Sequence, residues 1–219
     1  MARPPRQLLS RDRIVTTALA LLDAEGLAAV STRRIATELG VQGPSLYNHL
    51  ATMDELIDAL VDAVLADVDT SMFSGLSAEN PAWRPALETW ARSYRAAIAA
   101  HHEIVPALAS GPGHRVHALR IADAVFGGLV AAGWPRRTAT SVGALMRYFV
   151  TGSALGSFAA GFPADAAVYD RHYPHLNEAH LLAERQQRIA QDAFETGLRA
   201  LMDGLELQYH QLRNRPDSP

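Results

Sequence analysis

The sequence predicts an all-α fold: an N-terminal unit of three short helices, one linking helix, and a larger helical body. Three observations carry this. Apolar residues recur at helical spacing through most of the chain, most cleanly as Met53, Leu56, Ile57, Leu60, Val61, Val64, Leu65 and Val68. Capping residues and glycines fall at the ends of those stretches. No segment alternates polar and apolar residues as a half-buried strand would, and no internal repeat is visible.

Taken in order, residues 1–9 hold Arg3, Pro4, Pro5 and Arg6 without an apolar period and are expected to form a loose arm. Ser10 is placed to cap a first helix in which Ile14, Ala18, Leu21 and Leu22 face inward until Gly26 stops it. Ser31 or Thr32 caps a second helix that buries Ile35 and Leu39, and Gly40 ends it by supplying left-handed backbone for a tight turn. Pro44 suits the first turn of a third helix, where its missing N–H costs nothing. That helix turns Leu46 and Leu50 inward and leaves Ser45, Tyr47, Asn48 and His49 outward. Thr52-Met53-Asp54-Glu55 reads as a capping box opening the fourth helix. Its apolar stripe is too long for the small head to cover, which marks it as the link to the body. The expected division is therefore 1–51, 52–70 and 71–219, with Gly75, Asn80 and Pro81 at the last boundary.

In the body, helices are expected over residues 83–100, 103–109, 114–132, 135–161 and 178–211. The first carries the stripe Leu87, Trp90, Tyr94, Ile98 and His101; Gly111-Pro112-Gly113 breaks the chain after the second. Gly133 ends the third, Pro135 opens the fourth with Val142, Leu145, Met146 and Phe149, and the last has Ile189, Phe194, Leu198, Leu201 and Leu205 on one side. Residues 162–176, with Pro163 and Pro174, read as a loop.

Composition bounds the chemistry. The 219 residues include no cysteine, which excludes disulfides and thiolate zinc sites, and every base is arginine. The net charge of −3 argues against a nucleic-acid binder, but its distribution does not: Arg3 to His49 holds six arginines against four carboxylates, whereas Asp54 to Asp69 holds six carboxylates and no base. The apolar run Ile14–Leu22 is flanked by Arg11, Asp12 and Arg13 and lacks a small-x-small cleavage pattern, so it is expected to be a helix of the fold and not a secretion signal. The stretch 143–162 is long enough to suggest a membrane span, yet Arg147 lies within it. A central arginine costs roughly 2.5–3.5 kcal/mol on insertion scales, so a buried helix and a cytoplasmic protein are expected.

Three short helices with a glycine turn between the second and third fit a helix-turn-helix, which places the second helix of the pair in the DNA major groove. Thr32, Arg33, Ser45, Tyr47, Asn48 and His49 can donate to phosphates or base edges. Gly43 and Pro44 permit close approach, and Pro44 can touch a thymine methyl. Tyr47 packed against the first helix, and His49 as an ordinary surface residue, are the competing structural readings.

The run STRRIATELGVQGPSLYNHL, followed by DELIDAL, resembles the N-terminal DNA-binding domain of the TetR family of repressors over about residues 10–65. The body is similar to the tetracycline-repressor-like subclass through its Gly133-Trp134 turn before a long Gly- and Ala-rich helix. The resemblance implies a base-reading role for Arg33 and phosphate contacts for Thr32 and His49. It also implies that Gly43, Pro44, Ser45 and Tyr47 meet base edges and backbone; Gln42 and Asn48 complete the candidate DNA-binding set. Two positions depart from the family: Met53 stands where a phosphate-binding lysine usually opens the fourth helix, and Gly43 where a long polar side chain often sits. Arg3 and Arg6 of the arm are the candidate compensating cations.

The resemblance further implies a homodimer formed by the last two long helices, bound to a palindromic duplex operator whose half-sites lie on the order of 34–36 Å apart. Gly143, Gly152, Ser153 and Gly156 allow close backbone approach there, and Phe149, Leu155 and Phe158 supply burial. Trp90, Tyr94, His101, Phe126, Met146 and Phe149 are candidates for a pocket taking a small apolar or aromatic effector that releases DNA. The pairs His101-His102, His114-x-x-His117 and His172-x-x-His175 admit a different class, an all-helical metal-dependent enzyme. No carboxylate stands at metal-ligand spacing beside any of them, and no phosphate loop, GxSxG or HExxH is present. No metal, cofactor or catalytic residue is therefore expected.

Overall fold

A computed structural model describes residues 8–110, 115–155, 161–169, 173, 175, 176 and 178–214. The described residues form α-helices and short 3-10 turns, with no strand, as the periodicity predicts. The helices are α1 (Arg11–Glu25), α2 (Thr32–Leu39), α3 (Gly43–Tyr47), α4 (Met53–Ala66), α5 (Trp83–Ala100), α6 (Val105–Ser110), α7 (Val116–Ala131), α8 (Arg136–Ala154) and α9 (Gln186–Arg213). The chain divides into two compact units, one of residues up to Val68 with 96–121, the other of 69–95 with 122 onward.

In the first unit, side-chain caps start three helices. Ser10, Ser31 and Thr52 accept hydrogen bonds from the backbone N–H of Arg13 (3.2 Å), Arg34 (3.2 Å) and Glu55 (3.0 Å). The reciprocal half of the capping box reaches one residue further than expected: the Glu55 carboxylate accepts from Ala51 N–H at 2.8 Å. Ile14, Ala18, Leu21 and Leu22 of α1 are buried as the spacing requires. In α2 Ile35 and Ala36 are buried, whereas Leu39 is only half-buried, because it sits on the last residue before Gly40 turns the chain away.

Two carboxylates of the acidic run along α4 are held by residues far along the chain. Asp58 accepts from Nη2 of Arg115 at 2.6 Å and from its Nε at 3.2 Å. Asp62 receives the backbone N–H of His117 at 2.8 Å and lies 2.9 Å from its Nδ1. Arg120 donates to the carbonyls of Ala66 (3.2 Å) and Val68 (3.4 Å), serving the C-terminal end of α4 where helical partners run out. The opposite face buries Leu56, Leu60, Val61, Val64 and Leu65.

In the second unit, Phe73, Trp83, Leu87, Trp90, Ala91 and Tyr94 lie in the core. Gly128 is pressed against the Phe73 ring, where an added Cβ would sit 2.9 Å away. Gly143 of α8 lies against Phe126 of α7 so closely that a Cβ would overlap the ring, and Gly197 of α9 faces Phe149 of α8. Gly143 and Phe149, expected at a subunit interface, are thus used in packing inside the unit. Gly133, at φ 98°, turns the chain so that Trp134 meets Trp83 edge-on and Tyr209 at a tilt, with centroid distances of 5.1 Å each. The Tyr209 hydroxyl donates to the Ala132 carbonyl at 2.5 Å. On the outer side Arg84 pairs with Asp203 and Glu206, and Arg92 with Glu195 at 2.9 Å, tying α5 to α9.

Several boundaries differ from expectation. The last helix begins at Gln186 instead of residue 178, after 3-10 turns at Ala179–Leu181 and Ala183–Arg185. The fourth body helix ends at Ala154 instead of running to 161, and the short helix near 103 starts at Val105 behind a 3-10 turn, His102–Ile104. Arg3, Arg6, Gly111, Pro112, Gly113, His114, Gly156, Phe158, His172 and Pro174 lie outside the described residues. No helix among the described residues is long and apolar enough to cross a membrane.

Candidate nucleic-acid interface

The pair α2 and α3 is built from local signals. Gly40 adopts the left-handed conformation (φ 64°, ψ 34°), and Val41 N–H donates to the Ala36 carbonyl at 3.0 Å, closing the end of α2. Gly43 and Pro44 then open α3. Leu46 and Leu50 anchor this short helix inward; Leu50 lies past its end, with its N–H bonded to the Leu46 carbonyl at 3.0 Å. They gather with Ile14, Ile35, Met53 and Leu56 around a small gap beneath α3. Met53 thus joins the packing beneath α3.

The opposite side of the pair is an open notch lined by Thr32, Arg33, Ala36, Thr37, Val41, Gly43, Pro44 and Tyr47. Tyr47 borders both the notch and the void below it, yet is 55% exposed. The two readings of this residue are therefore not exclusive: one part of the ring packs and the rest faces outward. Arg33 is exposed, and among the described residues no hydrogen bond or ion pair engages its guanidinium. Its neighbour Arg34 is spent, 2.8 Å from Glu25 and 3.8 Å from Glu38. Gln42, Pro44 and Asn48 are exposed, and Thr32, Gly43, Ser45 and His49 half-buried. Ala36, Thr37 and Val41 were not singled out from the sequence. Thr37 stands one turn beyond Arg33, a spacing that places it on the same face; its hydroxyl donates to the Arg33 carbonyl at 2.9 Å.

The arrangement presents one uncommitted cation, an exposed tyrosine and small residues on a rigid base. That suits a surface that approaches a polyanion closely and distinguishes base edges by contact.

The candidate effector residues divide differently. Trp90, Tyr94 and Met146 are buried in the second unit, Phe126 and Phe149 half-buried. Trp90 and Tyr94 adjoin at 5.5 Å, while Phe149 stacks on Phe194 at 5.4 Å. The indole N–H of Trp90 and the hydroxyl of Thr151 are buried without a hydrogen-bond partner. His101 belongs to the first unit, its Nδ1 2.7 Å from Asp23. Of the histidine pairs, His117 is engaged by Asp62, and His175 is exposed. No group of three or more His, Cys, Asp or Glu that could hold a metal occurs among the described residues.

Residues 14–60 match the family described as bacterial regulatory proteins, tetR family, and residues 76–209 match the tetracyclin repressor-like C-terminal domain. The chain is 30% identical to the tetracycline repressor protein class C of Escherichia coli over 211 residues, covering 90% of this chain and 91% of that protein. It is 31% identical to an HTH-type transcriptional regulator of Saccharopolyspora erythraea over 69% of this chain, spanning 64% of the relative's length. Among solved structures, the TetR family protein ActR of Streptomyces coelicolor in complex with actinorhodin aligns with a TM-score of 0.70 and 29% identity, over 92% of this chain and 99% of ActR. BioQ in complex with its double-stranded DNA operator aligns with a TM-score of 0.63 and 26% identity, over 90% and 98% of the two chains.

Proposed function

The chain belongs to the TetR family of bacterial transcriptional regulators, and on that footing we propose that it is a homodimeric repressor that binds a palindromic operator and leaves it when a small apolar or aromatic molecule binds. In this reading residues 1–51 read DNA, 52–70 link, and 71–219 dimerise and sense. The observation that carries it is the uncommitted Arg33 beside exposed Tyr47 on a firmly packed α2–α3 pair. Thr32, Gln42, Gly43, Pro44, Ser45, Asn48 and His49 complete the DNA contact set.

Dimerisation is supported by the outer faces of the last two helices. α8 exposes Leu145, Tyr148 and Gly152, with Leu155 just past its end, at helical spacing, and α9 exposes Ala200, Gly204 and Leu207. Tyr148 is 72% and Leu207 67% exposed, more apolar surface than a helix pair of a monomer usually leaves in water. Effector sensing is supported by the aromatic interior of the second unit and by buried polar groups there without a partner, Trp90, Trp134, Thr151 and His180, some of which a bound molecule would satisfy. ActR with actinorhodin is a structural relative that holds a ligand, and BioQ one that holds operator DNA.

The test is a gel shift with duplex DNA flanking the chain's own coding region, alongside light scattering for mass. A single high-affinity site with two-fold symmetry bound by a dimer is expected. A monomer that binds all duplexes equally would refute the reading. An effector is found by thermal shift, since a ligand stabilises by RT ln(1 + [L]/Kd), about 2.7 kcal/mol at a hundredfold excess over Kd, and must then release the DNA.

A further inference from the structure

Within the first unit, α1, α4 and the start of α7 enclose an open groove that carries more negative charge than the fold uses. Its walls set the carboxylates of Asp12, Glu55, Asp58 and Asp62 against the guanidinium groups of Arg11 and Arg115, which leaves two negative charges over. Glu55, Asp58 and Asp62 stand three and four residues apart on α4 and form one row. At about 1.5 Å per residue that row is about 10 Å long. Asp62 is engaged through both oxygens by His117, but Asp58 gives only Oδ1 to Arg115, and Glu55 lies 3.7 Å from Arg11. Asp12 is exposed, and among the described residues nothing pairs with its carboxylate. The floor between these walls is apolar and small, made by Val15, Ala59 and Ala63. A charged row beside such a floor suits an extended, cationic segment.

The chain carries such a segment at the edge of the groove. Residues 1–7 precede the described part, and α1, into which they lead, lines the groove from its first turn with Arg11 and Asp12. Pro4 and Pro5 stand between Arg3 and Arg6. Proline fixes its own φ and pushes the residue before it to extended backbone, so these four residues favour a polyproline II helix. With three residues per turn at about 3.1 Å each, Arg3 and Arg6 then share one side about 9 Å apart. That spacing matches the carboxylate row, and two cations match the two surplus charges. The five residues from Arg6 to Arg11 span up to about 17 Å, enough for the chain to fold back over the first turn of α1.

We propose that, away from DNA, the N-terminal arm docks in this groove of its own chain. Arg6 then lies between Asp12 and Glu55, Arg3 against Asp58 farther along, and Pro4-Pro5 over Ala59 and Ala63. The docked arm withholds two cations from a duplex, so the groove competes internally with the DNA backbone. Only this withholding role rests on the reading of the chain as a DNA-binding protein; the docking does not.

The chain has no cysteine, so disulfide trapping in the full-length protein tests the docking cleanly. Ala2→Cys is combined with Thr16→Cys, which lines the groove, or with Asp54→Cys, which is exposed at the start of α4 but does not line it. At low salt A2C/T16C should close several-fold faster than A2C/D54C. The advantage should vanish at about 1 M salt, where the Debye length falls to about 3 Å, and in an R3A/R6A background. Asp12→Asn should reduce it without lowering the melting temperature. Equal closure of the two pairs at low salt, or an advantage that survives high salt or R3A/R6A, overturns the docking. A link that joins two chains, identified by mass, assigns the groove to the arm of a second copy and overturns docking within one chain. Titration of a random duplex tests the withholding: D12N should bind more tightly than the wild type, and R3A/R6A should abolish that gain. No gain, or a gain that persists in R3A/R6A, overturns the withholding role while docking stands. Absence of duplex binding by every variant overturns the DNA reading and, with it, the withholding role alone.

Discussion

The pairing of Asp58 with Arg115 makes a prediction whose size follows from the burial of its two ends. The Arg115 side chain is 5% exposed and that of Asp58 40%. Both Nε and Nη2 of Arg115 reach the same carboxylate oxygen, so the pair is close but not a two-oxygen fork. Removing one partner of a fully buried pair costs about 3–5 kcal/mol, and an exposed pair is worth about 0–1 kcal/mol. Asp58→Ala strands a guanidinium in a nearly dry site, while water still reaches part of the space the carboxylate leaves. An intermediate cost of about 2 kcal/mol is expected. Arg115→Met replaces the buried cation by an apolar chain of similar length and leaves Asp58 to solvent, so it should cost about 1 kcal/mol or less. The double variant should resemble R115M, because the stranded charge is gone. Urea unfolding followed by far-UV circular dichroism gives these differences as shifts of midpoint at constant slope. If D58A and R115M cost the same, or D58A costs no more than an exposed pair, the asymmetry argued from burial is wrong.

Three more tests bear on other parts of the molecule. Met53→Lys should restore a cation at the capped start of α4, raising affinity for all duplexes and steepening the salt dependence of binding by about one counterion, measured by titration at several salt concentrations. Arg33→Ala should weaken operator binding by about 1–3 kcal/mol and relax specificity at one position, whereas Arg34→Ala should leave DNA affinity nearly unchanged, since Arg34 is already held by Glu25; equal losses would show that the unpaired state of Arg33 has no consequence. Hydrogen bonding from Arg92 holds the Glu195 carboxyl below its ordinary value of 4.5. A depressed folded-state pKa stabilises above the unfolded value and loses that contribution as pH falls through the folded one, so stability should drop below about pH 4.5 and Arg92→Ala should shrink that drop, read from melting temperatures between about pH 2 and 6.

The sequence carried the head further than the body, for physical reasons. Ser10, Ser31, Thr52, Gly26 and Gly40 act over a few residues, so reading them needs no knowledge of what packs where. The inward positions Ile14, Ile35, Leu46 and Leu60 follow from spacing alone. What spacing cannot supply is the identity of a partner far along the chain. The charge count shows the carboxylates of Asp58 and Asp62 but not their partners, because Arg115 and His117 stand 57 and 55 residues away. Gly143 reads as an interface residue because nothing local announces Phe126. His101, at the right spacing to extend the aromatic stripe of α5, instead turns to Asp23. α9 starts late because the hydrogen bonds of residues 179–185 close locally as 3-10 turns, which the apolar period does not distinguish from a helix.

A negative chain that acts on DNA presents a conflict that these long-range pairs resolve. Every base is an arginine, and many arginines are consumed internally: Arg34 by Glu25, Arg115 by Asp58, Arg84 by Asp203 and Glu206, Arg92 by Glu195. The carboxylates in these contacts, Glu25, Asp58, Asp203, Glu206 and Glu195, are neutralised in turn. A paired charge contributes little field beyond a Debye length of about 8 Å at physiological salt, so the surface that meets DNA is governed by what is left unpaired near it. Within the notch between α2 and α3, Arg33 is the charged lining residue and no carboxylate lines the notch. In the proposed reading, affinity would rest on few cations and selectivity on close contact, which small residues such as Ala36, Gly43 and Pro44 permit. A protein built this way should bind non-specific duplex weakly, so that a modest number of base contacts would suffice to separate an operator from the rest of the genome; titration of a non-operator duplex to strong binding at physiological salt would refute this.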